Sequence, residues 1–146
     1  MAALELLPLC TVDSVVTEPS MVDKGAGVVQ KSYPMLSASI EGLRLSGRMQ
    51  GKSYFDWMGT PGGIGILRVR AMIETNDGAS IQVRYEARAD ISKGTDDVRG
   101  YSAPVFSTAS PAYLWLNLVQ AVGRGTVKDE RFHWDWYQVA EVPSWR

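Results

Sequence analysis

Four groups of residues in this 146-residue chain have side chains able to do chemistry. The first is Asp56-Trp57, which follows an extended run and precedes the turn "GTPGG". A carboxylate beside an indole can act as a general base when partial desolvation raises its pKa; the competing reading is a turn cap with an aromatic plug. The second is Arg70, whose rigid fork of donors can hold a carboxylate, enolate or phenolate oxygen. Its neighbours Arg68, Arg84 and Arg88 read instead, with Glu86, as a cross-strand ion-pair ladder facing solvent. The third is the row Tyr113, Trp115 and Asn117, which offers a phenolic proton, a stacking plate and an amide to a flat ligand, or else simply packs. The fourth is "FHWDWYQV", Phe132 to Val139, with the chain's single histidine. On a strand, His133 and Asp135 point the same way about 6.6–6.8 Å apart. That is too far for a direct hydrogen bond along the backbone, though both can touch one ligand. His133 can exchange protons near neutral pH; the plainer reading is a surface histidine.

Several chemistries are absent from the pattern. One histidine and one cysteine (Cys10), far apart, give no zinc spacing. No serine sits in a nucleophile elbow, and "GTPGGIG" lacks the Lys-Ser/Thr of a phosphate loop. "GRG" at Gly123 to Gly125 reads as a turn, and no nucleotide fingerprint is present. The expectation is therefore no metal and no cofactor, with acid–base chemistry or plain binding left. Fifteen Lys+Arg against 16 Asp+Glu provide no basic field for nucleic acid. The run "MAALELLPLC" is interrupted by Glu5 and has no basic leader, and no stretch approaches the ~18 apolar residues of a membrane helix. A lone cysteine suits a reducing compartment. These features predict a soluble cytoplasmic protein, one domain over residues 1–146, with 45% hydrophobic residues to bury a core.

The elements that must position these residues are read from alternation. "ILRVRAMIE" sets Leu67, Val69, Ala71 and Ile73 opposite Arg68, Arg70, Met72 and Glu74. "SIQVRYEAR" sets Ile81, Val83, Tyr85 and Ala87 opposite Gln82, Arg84, Glu86 and Arg88. The intervening Asn-Asp-Gly predicts a β-hairpin, with Gly78 taking a positive φ. "SASIEGLRLSGRMQ" is a further extended segment with bends at Gly42 and Gly47. Residues 89–104 read as an exposed loop. "AYLWLNLVQAV" tolerates a helix, but its alternation favours a strand paired with "RFHWDWYQVAEV". Many short strands with glycine-rich turns predict an all-β fold, a small antiparallel β-barrel. Which strand face lines the lumen is open: if the mixed polar-aromatic face does, the apolar outer face must be covered, which implies an oligomer.

The order of motifs then resembles a known family, domain of unknown function 3237 (the UPF0311 group). Its pattern falls here on Pro34, Gly42, Leu45, Gly47, Asp56, Trp57, Arg70, Asp77, Gly78, Ala79, Phe106, Thr108, Tyr113, Trp115, Leu116 and Asn117, within a stretch from about Pro34 to Val139. Departures occur at Ser37-Ala38, Ile40 and Ala87. The resemblance implies an all-β barrel, lipocalin-like or allene-oxide-cyclase-like in architecture, often associated into homo-oligomers.

The expected function is a cofactor-independent enzyme, an isomerase, cyclase or lyase, acting on a compact aromatic or polyketide-like molecule. Asp56 or Asp135 removes a proton, Arg70 stabilises the oxyanion, and Tyr113 or His133 returns a proton. Trp57, Trp115 and Asn117 shape the pocket. A carrier barrel that binds without chemistry is the alternative, and an oligomeric structural module the third reading. An enclosed lumen holding Arg70 and a carboxylate favours the ligand readings; a filled lumen counts against them.

Overall fold

The computed structural model describes residues 3–143, with the side chains of all but residues 50–52 and 54. These residues form strands β1 (Leu4–Val16), β2 (Ser20–Gly25), β3 (Val28–Glu41), β4 (Gly47–Gly59), β5 (Ile64–Thr75), β6 (Ser80–Asp90), β7 (Val98–Ser102) and β8 (Val105–Ser107). A 3-10 helix (Pro111–Leu118), β9 (Ala121–Lys128) and β10 (Arg131–Glu141) complete the order. The path β1-β10-β9-β7-β6-β5-β4-β3 is antiparallel throughout, and β3 returns to pair with β1, closing a ring. Strand β2 adds to the outer edge of β3, and β8 follows β7 along β6 after the buried Pro104. Proline has no N–H for a ladder, which accounts for the break between β7 and β8.

The apolar face of each strand points inward. Leu67, Val69, Ala71 and Ile73 of β5 and Ile81, Val83, Tyr85 and Ala87 of β6 are buried, while Arg68, Arg70, Arg84, Glu86 and Arg88 are exposed. The lumen is filled by interlocking rings. Phe132 meets Tyr33 and Phe55 edge-on at 5.9 and 5.3 Å, and Tyr85 meets Trp134 and Trp136 at 5.8 and 5.2 Å. Phe106 adds a further edge contact to Trp136 at 5.9 Å. Such edge-to-face pairs add roughly 0.5–1.5 kcal/mol each beyond area burial. The arrangement in which the mixed face lines the lumen is excluded, because burying those arginines unpaired would be prohibitive.

The predicted hairpin is present. Its register runs from Ile64 opposite Asp90 to Glu74 opposite Ser80, and Gly78 has φ +90° at the turn. "FHWDWYQV" is also a strand, joining the two ends of the chain by pairing with β1 on one side and β9 on the other.

Four local expectations are corrected. Residues 113–118 form a 3-10 helix rather than a strand, entered through Pro111 at its first position, where the missing N–H is harmless. In that helix residues three apart align, so Tyr113, Leu116 and, just past its end, Val119 pack on the core; Trp115 packs against it as well, and Asn117 is exposed. The strand that pairs with β10 is therefore β9. "GRG" is not a turn but the middle of β9, where Gly123 and Gly125 lie under Trp136 and Trp134. The segment 89–104 contains β7, and "SASIEGLRLSGRMQ" is two strands joined by a turn at 42–46.

Candidate functional site

With the lumen filled, positions open to a ligand lie on the outside of the barrel. The expected site residues divide among three places.

Asp56 and Arg70 meet in one of them, a solvent-open groove of about 590 Å³ across β4, β5 and β6, edged by Ala103 and Val105 beside β8. Both sit within strands, so Asp56 is not on a loop as its sequence context suggested. Register sets the layout. Ser32, Asp56, Arg68 and Glu86 are successive partners across β3 to β6, and Arg70, Arg84 and Val105 are partners in the next row. The Ser32 hydroxyl donates to Asp56 Oδ1 at 2.6 Å, fixing one carboxylate oxygen. Glu86 is held by Arg68 Nε at 3.1 Å and Arg88 Nη2 at 3.2 Å. The expected cross-strand pairing is thus real for Arg68, whereas Arg88 reaches Glu86 along its own strand. Arg70 and Arg84 have no ion-pair partner among the described residues. Trp57 follows Asp56 but points the other way, buried among core residues with its ring across Gly65.

The second place is the barrel end bearing the 3-10 helix. The Tyr113 hydroxyl donates to Asp77 Oδ1 at 2.8 Å, and the Thr75 hydroxyl donates to the same oxygen at 2.5 Å. These bonds, Thr75 first, hold the Asp77 carboxyl below the usual carboxylate range, and the bond to Asp77 raises the Tyr113 phenol. A phenol so held is a poor proton donor to a ligand. Asn117 Oδ1 accepts from the Thr108 N–H and its Nδ2 donates to the Thr108 carbonyl, both at 2.9 Å, which is a local backbone clasp. Trp115 lies under the Arg44 guanidinium, 4.6 Å from the ring centroid, and Arg44 also donates to Gln138 at 2.6 Å. Tyr113, Trp115 and Asn117 therefore do not form one wall.

The third place is the outer face of β1, β10, β9 and β7. His133 Nδ1 is 2.6 Å from Asp13 Oδ1 and Nε2 is 3.0 Å from Asp135 Oδ1. The expectation that His133 and Asp135 stand too far apart to bond is corrected: the imidazole leans along the strand and closes the gap. An imidazolium donates to both carboxylates, so the bond to Asp13 foremost, helped by Asp135, raises the His133 pKa against the opposing effect of partial burial. Asp135 Oδ2 is 3.9 Å from Arg124 Nε, and Arg99 and Tyr101 complete a shallow pocket of about 330 Å³.

Two residues escaped sequence reasoning. Arg84 faces Arg70, which counting equal steps outward from the Asp-Gly turn would have shown. Asp13, the partner of His133, comes from a strand 120 residues away with no sequence signal linking the two. The buried nucleophiles are inert: burial pushes the Cys10 thiol up to about 12 and the Tyr85 phenol well above its ordinary range, with the Trp134 indole opposing weakly. No group of three or more metal-ligating side chains occurs among the described residues. No described helix is long and apolar enough to cross a membrane.

Residues 4–139 match the family model described as protein of unknown function (DUF3237), and the chain belongs to that family. Among curated proteins, none matches the sequence. Solved structures share the fold over nearly the whole chain. A protein with unknown function from Clostridium acetobutylicum ATCC 824 has a TM-score of 0.87 at 19% identity, covering 94% of this chain and 100% of that one. A beta-barrel like protein from Acinetobacter baumannii AYE has 0.86 at 22%, covering 94% and 97%. An enzyme from Penicillium herquei has 0.70 at 23%, covering 94% of each chain. At these identities the likeness shows an all-β barrel fold.

Proposed function

We propose that this barrel is a cofactor-independent acid–base enzyme, an isomerase, cyclase or lyase, acting on a compact aromatic or polyketide-like molecule in the groove across β4 to β6. The observation that carries the reading is the presence, in one open groove, of a carboxylate and an arginine without an ion-pair partner among the described residues. Asp56, with Oδ1 occupied by Ser32, has Oδ2 to take a proton from a carbon or hydroxyl next to a carbonyl. Arg70 holds the oxygen on which the negative charge then develops. Tyr113, His133 and Asp135 lie in other places, so the proton returns from the Asp56 carboxyl itself to a different atom of the substrate. In an isomerisation or cyclisation the product has the substrate's mass, whereas a lyase step divides it between two products.

A binding function without chemistry is the second reading, favoured by the openness of the groove and the exposure of its arginines. It would use the same groove, since the packed lumen leaves no lipocalin-like interior. Self-association belongs to the proposal as well: Leu4, Leu6, Leu36, Leu43 and Leu118 are exposed, and covering them in a homo-oligomer would remove apolar surface from water.

The test is incubation with a panel of phenolic β-dicarbonyl compounds, followed by mass spectrometry and chromatography. An isomer formed by the wild type and lost in Asp56→Asn and Arg70→Ala supports the enzyme. Equal conversion by those variants overturns it, and saturable binding with the compound recovered unchanged favours the binder.

A further inference from the structure

We infer that Arg84 and Arg70 together form a clamp for a monoanionic carboxylate on the ligand, so that the molecule bound in the groove is a compact hydrophobic acid. This rests on the groove being the working site and specifies what enters it.

The outer face of the barrel follows a rule that this pair breaks. Each arginine with a carboxylate directly opposite it on a neighbouring strand pairs with one: Arg48 with Glu74 at 3.4 Å, Arg68 with Glu86 rather than Asp56 at 3.1 Å, and Arg124 with Asp135 at 3.9 Å. Arg70 faces Arg84 instead. Directly opposed residues have Cβ atoms about 4.5–5.5 Å apart, and like charges there are destabilising. The nearest carboxylate along β6, Glu86, is already engaged by Arg68 and Arg88. Two guanidinium forks side by side match the two oxygens of a carboxylate, and an anion between them converts repulsion into charge-assisted hydrogen bonding.

Charge and shape limit the anion further. Three arginines and two carboxylates line the groove, leaving one positive charge, which a monoanion balances and a phosphate dianion exceeds. Asp56 repels a second negative charge from the same wall. Beyond Arg84 its partner on β8 is Val105, and with Ala103 this makes an apolar margin for the hydrophobic body of the acid.

The experiment is an NMR titration of the full chain, following backbone amides of β5 and β6, with benzoate, its neutral isostere benzamide, and inorganic phosphate as probes. Benzoate is expected to shift amides around Arg70 and Arg84, with benzamide and phosphate binding more weakly. Arg84→Gln and Arg70→Gln are each expected to weaken benzoate about tenfold, the scale of one lost hydrogen bond to a charged group. Arg84→Lys keeps the charge without the fork and is expected to fall between. Arg48→Gln, outside the groove and paired with Glu74, leaves binding unchanged. The three side chains, Arg48, Arg70 and Arg84, are exposed, and amide dispersion reports that the variants fold. Equal binding of benzamide and benzoate, tighter binding of phosphate, or an Arg84→Gln that behaves like Arg48→Gln overturns the clamp. Benzoate bound through both arginines without turnover of any related acid upholds the clamp while removing the enzyme reading. Turnover that survives Arg84→Gln does the reverse.

Discussion

Gly125→Ala is expected to destabilise the barrel although alanine is the better residue for an ordered backbone. Gly125 lies on β9 between Trp134 of β10 and Gly100 of β7. A Cβ there would collide with Cε3 of the Trp134 indole and come within 2.5 Å of the His133 carbonyl oxygen. The indole has nowhere to retreat, being 3% exposed with Tyr85 on its other side. Replacing glycine by alanine at an unstrained position gains about 0.4–1 kcal/mol through the unfolded chain. Forcing a methyl group into a packed core costs about 1–3 kcal/mol. The second effect wins, for a net loss of roughly 1–2 kcal/mol, or about 3–7 °C in Tm for a domain of this size. Thermal unfolding followed by near-ultraviolet circular dichroism measures both the loss and the displaced indole. Trp134→Phe should relieve the collision, so the double variant should lose less than the sum of the singles. Gly62→Ala is the control, because nothing lies within 4 Å of its added Cβ. A Gly125→Ala protein melting with the wild type would show that Trp134 does not lie flat on β9, and the account of the lumen would fail with it.

His133 has a raised pKa when folded, so its contribution is complete below its unfolded value of about 6.5 and is lost as pH rises through the higher folded value. The pairs are partly exposed and worth about 0.2–1 kcal/mol, so the wild type should exceed His133→Gln in Tm at pH 5.5 and approach it by pH 9; a constant gap would refute the bridging imidazolium. Cys10 should resist a thiol-disulfide reagent at pH 8 until the protein unfolds, since its thiol is buried and held at about 12; prompt labelling of the native protein would contradict this. Asn117→Ala should cost about 1–2 kcal/mol in denaturant unfolding by opening the Thr108 clasp, while leaving benzoate binding untouched. Loss of binding with stability intact would restore Asn117 to a ligand site.

What the sequence disclosed was what short-range physics decides. The hairpin from Ile64 to Asp90 was legible because alternation and an Asp-Gly turn lie within a few residues of one another. The helix at Pro111–Leu118 was not, because alternating bulky residues mimic a strand, and the period-three set Tyr113, Leu116 and Val119 is apparent only once Pro111 is taken as a helix start. "GRG" misled for the same reason: glycine is usually a turn signal, and its use beneath two indoles depends on β10 lying alongside. His133 could not be matched to Asp13 at all, since ring closure rather than sequence distance brings β1 to β10. In the candidate site, Asp56 and Arg70 were legible as chemistry, whereas Arg84 was dismissed by grouping it with Arg68 and Arg88 as one ladder.

That last error bears on where function resides. Alternation makes each strand two-faced, and a barrel this narrow fills its interior with the apolar face, here with rings from Tyr33 to Trp136. Chemistry is left to the outer face, where water screens charges and ion pairs are weak. A site on such a surface cannot draw on desolvation, so it must draw on arrangement. Of the two rows in the groove, Ser32, Asp56, Arg68 and Glu86 place carboxylates beside groups that pair with them, except that Asp56 keeps one oxygen for a ligand. The adjacent row places two guanidinium groups against each other and supplies no anion. A proton acceptor beside an unanswered positive pair is what an acid losing a proton next to its carboxylate or carbonyl would require, and nothing in the packing of the barrel calls for it.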